Sequence, residues 1–285
     1  MLVDLLPQGL KDALGPDVLF WIGYFTNGKH LAWYASVQFT LEAMVFGALV
    51  ALILGLLAAA IYNSAPRPFR WLAAGYINIV RGVPDVLFFL FFPIAFEEGV
   101  EWVWSQQVCT PETIAAQTAP WPPCAAANWH VATWQYLVLA CVSLGIIYGA
   151  FVANVIAGAL RSVPKGQVEA ARAYGLSRMQ VIMRIEVRQM WVYALPGLSN
   201  TWQALVKATS LLSLLQVLDF VTWAQRLGAA NFSKAAGLVH DDWRWRYYFV
   251  LLVFYILVTF VSEKFFGALS RRVRRGMPLA DQSLA

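Results

Sequence analysis

The chain has 285 residues, of which 60% are hydrophobic and 13% charged, and its mean hydropathy is +0.58. Soluble domains run at roughly 45–50% apolar and about 25% charged residues, so this composition excludes a soluble globular protein and, with so few charges, a disordered one. The net charge of +5 and the pI near 9.2 leave a nucleic-acid partner open until the basic residues are placed, whereas Cys109, Cys124 and Cys141 lack the spacing of a zinc site or a redox pair.

In chain order, residues 1–30 carry no basic n-region and no small-residue cleavage site before Lys11 and Asp12. That argues against a cleaved signal peptide and predicts a helix lying on the membrane surface. Gly23–His30 has the spacing of a phosphate loop, but His30 stands where a hydroxyl should hold magnesium, and no strand precedes the segment. Five segments can then cross a bilayer, each needing about 20 mostly apolar residues. The first is Ala43–Ile61, with an apolar pattern reaching back toward Leu31. The second, Phe69–Phe96, is interrupted by Arg81, Gly82, Pro84 and Asp85. Tyr136–Leu160 is uncharged, Trp191–Trp223 is polar for a span, and Tyr247–Phe265 is the last.

The connections orient these spans. Arg67 and Arg70 follow the first span, and Arg161, Lys165, Arg172, Arg178, Arg184 and Arg188 follow the third. Arg271, Arg272, Arg274 and Arg275 follow the fifth, whereas Glu97–Thr133 carries Glu97, Glu98, Glu101 and Glu112 and no lysine or arginine. Alternation puts the basic segments on one side, which the positive-inside rule makes cytoplasmic, with the N-terminus outside. Arg226, Lys234, Arg244 and Arg246 count against this, with Asp241 and Asp242 among them. The basic pI therefore reflects topology and anionic lipid, not a nucleic-acid face. Cys109 and Cys124 share the outward loop, where a disulfide and two free thiols both fit; Cys141 reads as packing. His30, His130 and His240 fall on outward loops without metal-ligand spacing, and no catalytic constellation is present.

The cytoplasmic connection 161–190 has its own helical grammar. Pro164 opens a helix, Gln167–Tyr174 are mostly good helix formers, and Gly175 supplies a left-handed end. Ser177 with Gln180 then starts a second helix toward Gln189 through a capping box. The bland reading is an amphipathic helix resting on lipid. Against it stands a pattern: Glu169-Ala170-Ala171, then three residues, Gly175, then nine residues, and Ile185. This resembles the EAA loop of ABC-importer permeases. Arg81-Gly82-Val83-Pro84-Asp85, Ile147–Phe151, Ser162–Gln167, Ala194–Gly197, Asn200–Gln203 and Lys207–Leu211 extend the likeness to the polar amino-acid permeases over about residues 36–270. Within that family it is nearest the histidine/lysine/arginine/ornithine and arginine permeases.

The resemblance implies an all-α integral membrane protein with five transmembrane helices and the type I ABC-importer permease fold. Its parts are an interfacial segment 1–30, a permease domain 31–270 with coupling loop 161–190 and outward loop 97–133, and a cytoplasmic tail 271–285. It also implies a second permease subunit, two ATPase subunits that carry ATP and Mg, and a periplasmic amino-acid-binding protein, with no cofactor on this chain. Glu169, Ala170, Ala171, Arg172 and Gly175 would then form the ATPase-coupling helix, with Glu169 and Arg172 one turn apart and able to pair with each other or across an interface. Three departures from the family pattern stand out. Arg188 replaces a common proline, which would extend the second cytoplasmic helix, and Asn154 replaces a common glutamate in span three. The outward loop is long and carries Pro120, Trp121, Pro122 and Pro123.

Polar groups inside spans are functional candidates, because burial of a charge in hydrocarbon costs about 2.5–3.5 kcal/mol on insertion scales. Arg81 and Asp85 either neutralise each other at a structural break or meet substrate. Asn200, Gln203, Lys207 and Ser210 share one helical face with Pro196, pointing into the bundle or a wet cavity. Lys207 either meets a substrate carboxylate or snorkels outward. Together with Asn154 these are the candidate substrate-path residues. The expected function is the translocation subunit of an ATP-driven importer of polar, basic or opine-like amino acids, without catalysis of its own. The alternative is a secondary transporter or channel, which needs a coupling carboxylate in mid-membrane; Glu42 and Asp219 lie near span ends.

Overall fold

The protein, seen in a computed structural model, is described for residues 6–129, 131–215, 217–232 and 238–275. His130, Lys234 and most of the expected tail lie outside these residues. Among them the chain is helical apart from one isolated bridge between Asn231 and His240. Three helices are long and apolar enough to cross a membrane, and two bent helix pairs bring the number to five if each pair is one span.

α1 (Gln8–Phe25) kinks at Gly15, which holds φ 72° ahead of Pro16. After a short turn, α2 (Gly28–Ser64) starts with the Asn27 side chain accepting from the His30 N–H at 2.9 Å. The phosphate-loop lookalike is therefore a helix end, a turn and a capped helix start. α2 stops before Pro66, which pushes Ala65 into extended conformation (ψ 162°). His30 is not on a loop as expected; it is fully buried in α2, with Nε2 2.9 Å from the Tyr247 hydroxyl. Glu42 likewise lies well inside this 37-residue helix, accepting from Gln38 Nε2 at 2.6 Å.

The centre of the molecule is the contact between α2 and α6 (Thr133–Arg161). α2 buries Ala43, Gly47, Ala51, Gly55 and Ala59, spaced every four residues, and α6 buries Cys141, Gly145, Gly149, Ala153 and Ala157 at the same spacing. Two ladders of small residues let the backbones approach closely, which is how membrane helices gain contact where lipid supplies no hydrophobic contrast. A Cβ added at Gly55 would lie 2.4 Å from Val152 Cγ1, and one at Gly145 would lie 2.2 Å from Val50 Cγ1.

The second span is broken as its Gly and Pro predict. α3 (Arg67–Gly82) and α4 (Asp85–Val108) meet at 115°, because Pro84 forces Val83 into extended conformation (φ −90°, ψ 137°). The Tyr76 hydroxyl donates to the Ile146 carbonyl at 2.7 Å and fixes α3 on α6. α4 continues well past Phe96, so Glu97, Glu98 and Glu101 are helical and the connection expected over 97–133 shortens to residues 109–132. A Cys109–Cys124 disulfide folds that connection back, around a short helix α5 (Pro111–Ala115) capped by Thr110. Glu101 is buried beneath it and accepts from Trp121 Nε1 at 2.6 Å and the Trp129 N–H at 2.9 Å.

α7 (Lys165–Ala173) and α8 (Arg178–Val181) make the connection 161–190, expected to be the coupling loop, and a π turn (Ile182–Glu186) leads without a break into α9 (Val187–Ala208). The fourth span is not one straight helix to Trp223, as the hydropathy suggested. It tightens into a 3₁₀ segment at Thr209–Leu215 and resumes as α10 (Phe220–Gly228) at 57°. Asp219, expected near a span end, is the buried N-cap of α10 and accepts from the Thr222 N–H at 2.9 Å. α11 (Arg244–Arg274) closes the fold against α9 and α10, with most of its apolar surface outward.

Candidate functional site

The local grammar of the coupling loop appears in the structure residue by residue. α7 ends in a Schellman motif: the Leu176 N–H donates to the Ala171 carbonyl at 3.1 Å, and the Gly175 N–H to that of Arg172 at 2.9 Å. Gly175 holds φ 81°, a conformation that costs a side-chain-bearing residue about 1–2 kcal/mol. Ser177 and Gln180 form the reciprocal capping box, Ser177 N–H to Gln180 Oε1 at 2.9 Å and Gln180 N–H to Ser177 Oγ at 3.4 Å. Arg188, lacking proline's restraint, sits inside α9 and the helix runs on.

Ala171, Val163, Val181 and Met190 are buried and anchor the loop to the end of the bundle. Gln189 Nε2 donates to Gln167 Oε1, tying α7 to α9. Glu169, Ala170, Arg172 and Gly175 are exposed, and among the described residues Glu169 and Arg172 form no ion pair with each other. The intrahelical pair is thus open, and both charges face outward. Three exposed side chains that the motif did not single out share this surface: Tyr174 at 87%, with Met179 and Met183 on the following helix turns. Their signal was legible in hindsight, since large apolar residues in a basic loop have no bundle to enter. Flexible methionine and a projecting ring are suited to a partner's groove.

The candidate path residues separate into two groups. Arg81 and Asp85 do not pair: the Arg81 guanidinium lies 5.5 Å from the Phe151 ring centroid, and Asp85 Oδ2 accepts from the Tyr148 hydroxyl at 2.9 Å. The Tyr148 hydroxyl also lies 3.3 Å from the Ala204 carbonyl, so the break in span two is tied to both α6 and α9. Asn154 is exposed on α6, the most buried helix, one residue before Val155, which packs on Gly197 of α9. One turn beyond Gly197, Asn200 is exposed, followed by half-buried Gln203 and exposed Lys207. The stripe therefore does not enter this chain's own bundle. α9 buries the opposite face, Ala194, Leu195, Leu205 and Val206, and leaves the polar one free. Ser210 leaves the stripe, since it lies in the 3₁₀ segment and donates to the Lys207 carbonyl at 2.8 Å. Among the described residues this polar face has no partner in its own chain. No group of three or more His, Cys, Asp or Glu that could hold a metal occurs among the described residues.

Residues 10–275 match the family described as "Binding-protein-dependent transport system inner membrane component". The chain is 31% identical over 244 residues to the histidine/lysine/arginine/ornithine transport system permease protein HisQ of Escherichia coli (strain K12), covering 85% of this chain and 93% of that protein. It is 26% identical over 256 residues to the octopine transport system permease protein OccQ of Rhizobium radiobacter, covering 90% of this chain and 96% of that one. Among solved structures, a chain of an amino acid ABC transporter crystallised with histidines superposes with a TM-score of 0.63 at 18% identity, covering 89% of this chain and 97% of that one. With the fold and an apolar helical body of this kind, the match over nearly the whole length makes the chain a member of the binding-protein-dependent transport system inner membrane component family.

Proposed function

We propose that this chain is one of two permease subunits of an ATP-driven importer for a polar amino acid, basic or opine-like, and that it performs no chemistry itself. It spans the membrane five times, with the N-terminus outside and the C-terminus in the cytoplasm. Two ATPase subunits bind ATP and Mg, and a binding protein delivers substrate to the outward side. The substrate class rests on relatives whose names specify histidine, lysine, arginine, ornithine and octopine transport. The disulfide in residues 109–124 supports the orientation, because disulfides persist on the oxidising side.

The observation that carries the coupling role is the exposed α7 surface, where Glu169 and Arg172 are unpaired among the described residues and Tyr174 projects at its end. A push on α7 travels through the Gln167–Gln189 bond and a helix uninterrupted from Arg178 to Ala208, reaching the stripe at Asn200, Gln203 and Lys207. The π turn at Ile182–Glu186 is the place where that helix most readily changes its winding. Proteoliposomes holding the complete transporter test this reading. Glu169→Lys is expected to abolish ATP-dependent uptake while the subunits still assemble, and normal uptake in that variant sinks the docking role. Uptake by the permease subunits alone, without any ATPase, would establish a secondary transporter instead.

Asn154 leaves the span-three position uncharged. The charge of a basic substrate is then read mainly by the second permease subunit. Substituting the equivalent position of that subunit is expected to weaken substrate binding far more than Asn154→Ala does; equal losses would contradict it.

A further inference from the structure

The basic residues at the start of α11 oppose the charge pattern of the rest of the chain, and the structure separates them by what each one does. Arg244 is consumed locally: its Nε donates to both Asp242 carboxylate oxygens, at 2.9 and 2.8 Å. Arg246 is not. Its guanidinium carbon lies 4.5 Å from the Trp243 ring centroid and 5.5 Å from that of Trp245. No carboxylate pairs with it among the described residues. Both indoles lie within cation–π reach of this cation, and its N–H groups, without a carboxylate among the described residues, are left for an oxyanion.

Arg246 itself lines a groove of about 200 Å³ between α1 and α11, with Trp33 of α2 also in its wall, together with Trp21, Phe25, Tyr247 and Val250. Trp21, Phe25 and Val250 are exposed, and so are Trp245 and Phe249 beside it. This is the end of an apolar helix in a zone of tryptophan and tyrosine, where head groups meet hydrocarbon. An uncompensated guanidinium at an open apolar groove is the complement of an amphiphile with a phosphate at its head. Arginine holds phosphate oxygens through paired N–H bonds, and the groove removes part of an acyl chain from its neighbours. A soluble anion would leave the groove empty, and a neutral lipid would leave Arg246 unpaired.

We propose that this corner binds one phospholipid, its phosphate diester on Arg246 and an acyl chain along the α1–α11 groove. The test uses the assembled transporter purified in a neutral detergent and native mass spectrometry of its bound lipid, with phosphatidylglycerol, diacylglycerol or glycerol phosphate added back. The wild type is expected to retain phosphatidylglycerol in preference to diacylglycerol, and glycerol phosphate is expected not to displace it. Arg246→Ala should lower occupancy about tenfold, as loss of a charged hydrogen-bond partner implies. Arg244→Ala, which removes an arginine already satisfied by Asp242, should leave occupancy unchanged. Val250→Trp fills the groove while keeping Arg246 and should also lower occupancy, so the proposal stays testable if Arg246→Ala fails to assemble. Equal occupancy in Arg246→Ala, or equal retention of diacylglycerol, overturns it. Capture of glycerol phosphate alone does so too, since it would make the site an anion site without a lipid, and a protein chain retained there in place of lipid would make it a protein contact.

Discussion

At the residue scale, single positions carry definite roles because their backbone or partners leave no substitute. Gly175→Ala is expected to strain the left-handed end of α7 by about 1–2 kcal/mol and to impair ATP-coupled uptake more than insertion, measured by transport against membrane abundance. Glu101→Ala removes the acceptor of the Trp121 indole and the Trp129 N–H, leaving two donors unmet at about 1–3 kcal/mol each. The connection 109–132 should then be cut by protease sooner than in the wild type, while Glu101→Gln, which keeps an acceptor oxygen, should be milder. At Asp242 the Arg244 guanidinium lowers the carboxyl pKa from 3.8 to about 2. A depressed acid contributes stability above its unfolded pKa and loses it as pH falls through the folded value. The Asp242–Arg244 contact should therefore be constant from pH 8 to 5 and open only as pH drops below about 4 toward 2, which a carboxyl-selective NMR titration would follow.

At the element scale, the helix pair α2–α6 is specified by what it lacks. Gly55→Val or Gly145→Val puts atoms where Val152 and Val50 already stand, 2.4 and 2.2 Å from the first added carbon. Either change should part the helices and lower the yield of folded complex several-fold, read by size-exclusion chromatography in detergent. Those ladders were fully present in the sequence at four-residue spacing, but hydropathy does not rank small residues and passed over them. Capping chemistry was easier to read. Asn27 was not read as a cap, yet Ser177 with Gln180 and the Gly175 end were, because each needs only its neighbours in the chain. The break at Gly82–Pro84 was equally local. The partners of Arg81 and Asp85 were not, since the ring of Phe151 and the hydroxyl of Tyr148 come from a helix more than sixty residues away.

At the scale of the whole molecule, the polar stripe of α9 explains why the path residues were legible and their direction was not. Periodicity places Asn200, Gln203 and Lys207 on one face, but only packing decides whether that face meets its own chain or another. Here Ala194, Leu195, Leu205 and Val206 take the inner side, and Asn200 and Lys207 are left exposed. Cysteines at Asn200 and Lys207 should accordingly crosslink to the other permease chain in the assembled transporter, and labelling of both by lipid-soluble reagent alone would refute that. The long helix α2 has a further consequence. Its 37 residues make a stiff rod of about 55 Å, well beyond the roughly 30 Å of hydrocarbon. It bears on α6 near its middle, at Gly47 and Gly55, while near its start the Trp33 indole holds the Phe220 carbonyl at 3.1 Å. The ladder from Ala43 to Ala59 clamps this rod to α6 over several turns, so the two helices form one stiff pair. The start of α10 is hitched to that rod through the Trp33–Phe220 bond, so a tilt of α2 would carry the start of α10 with it.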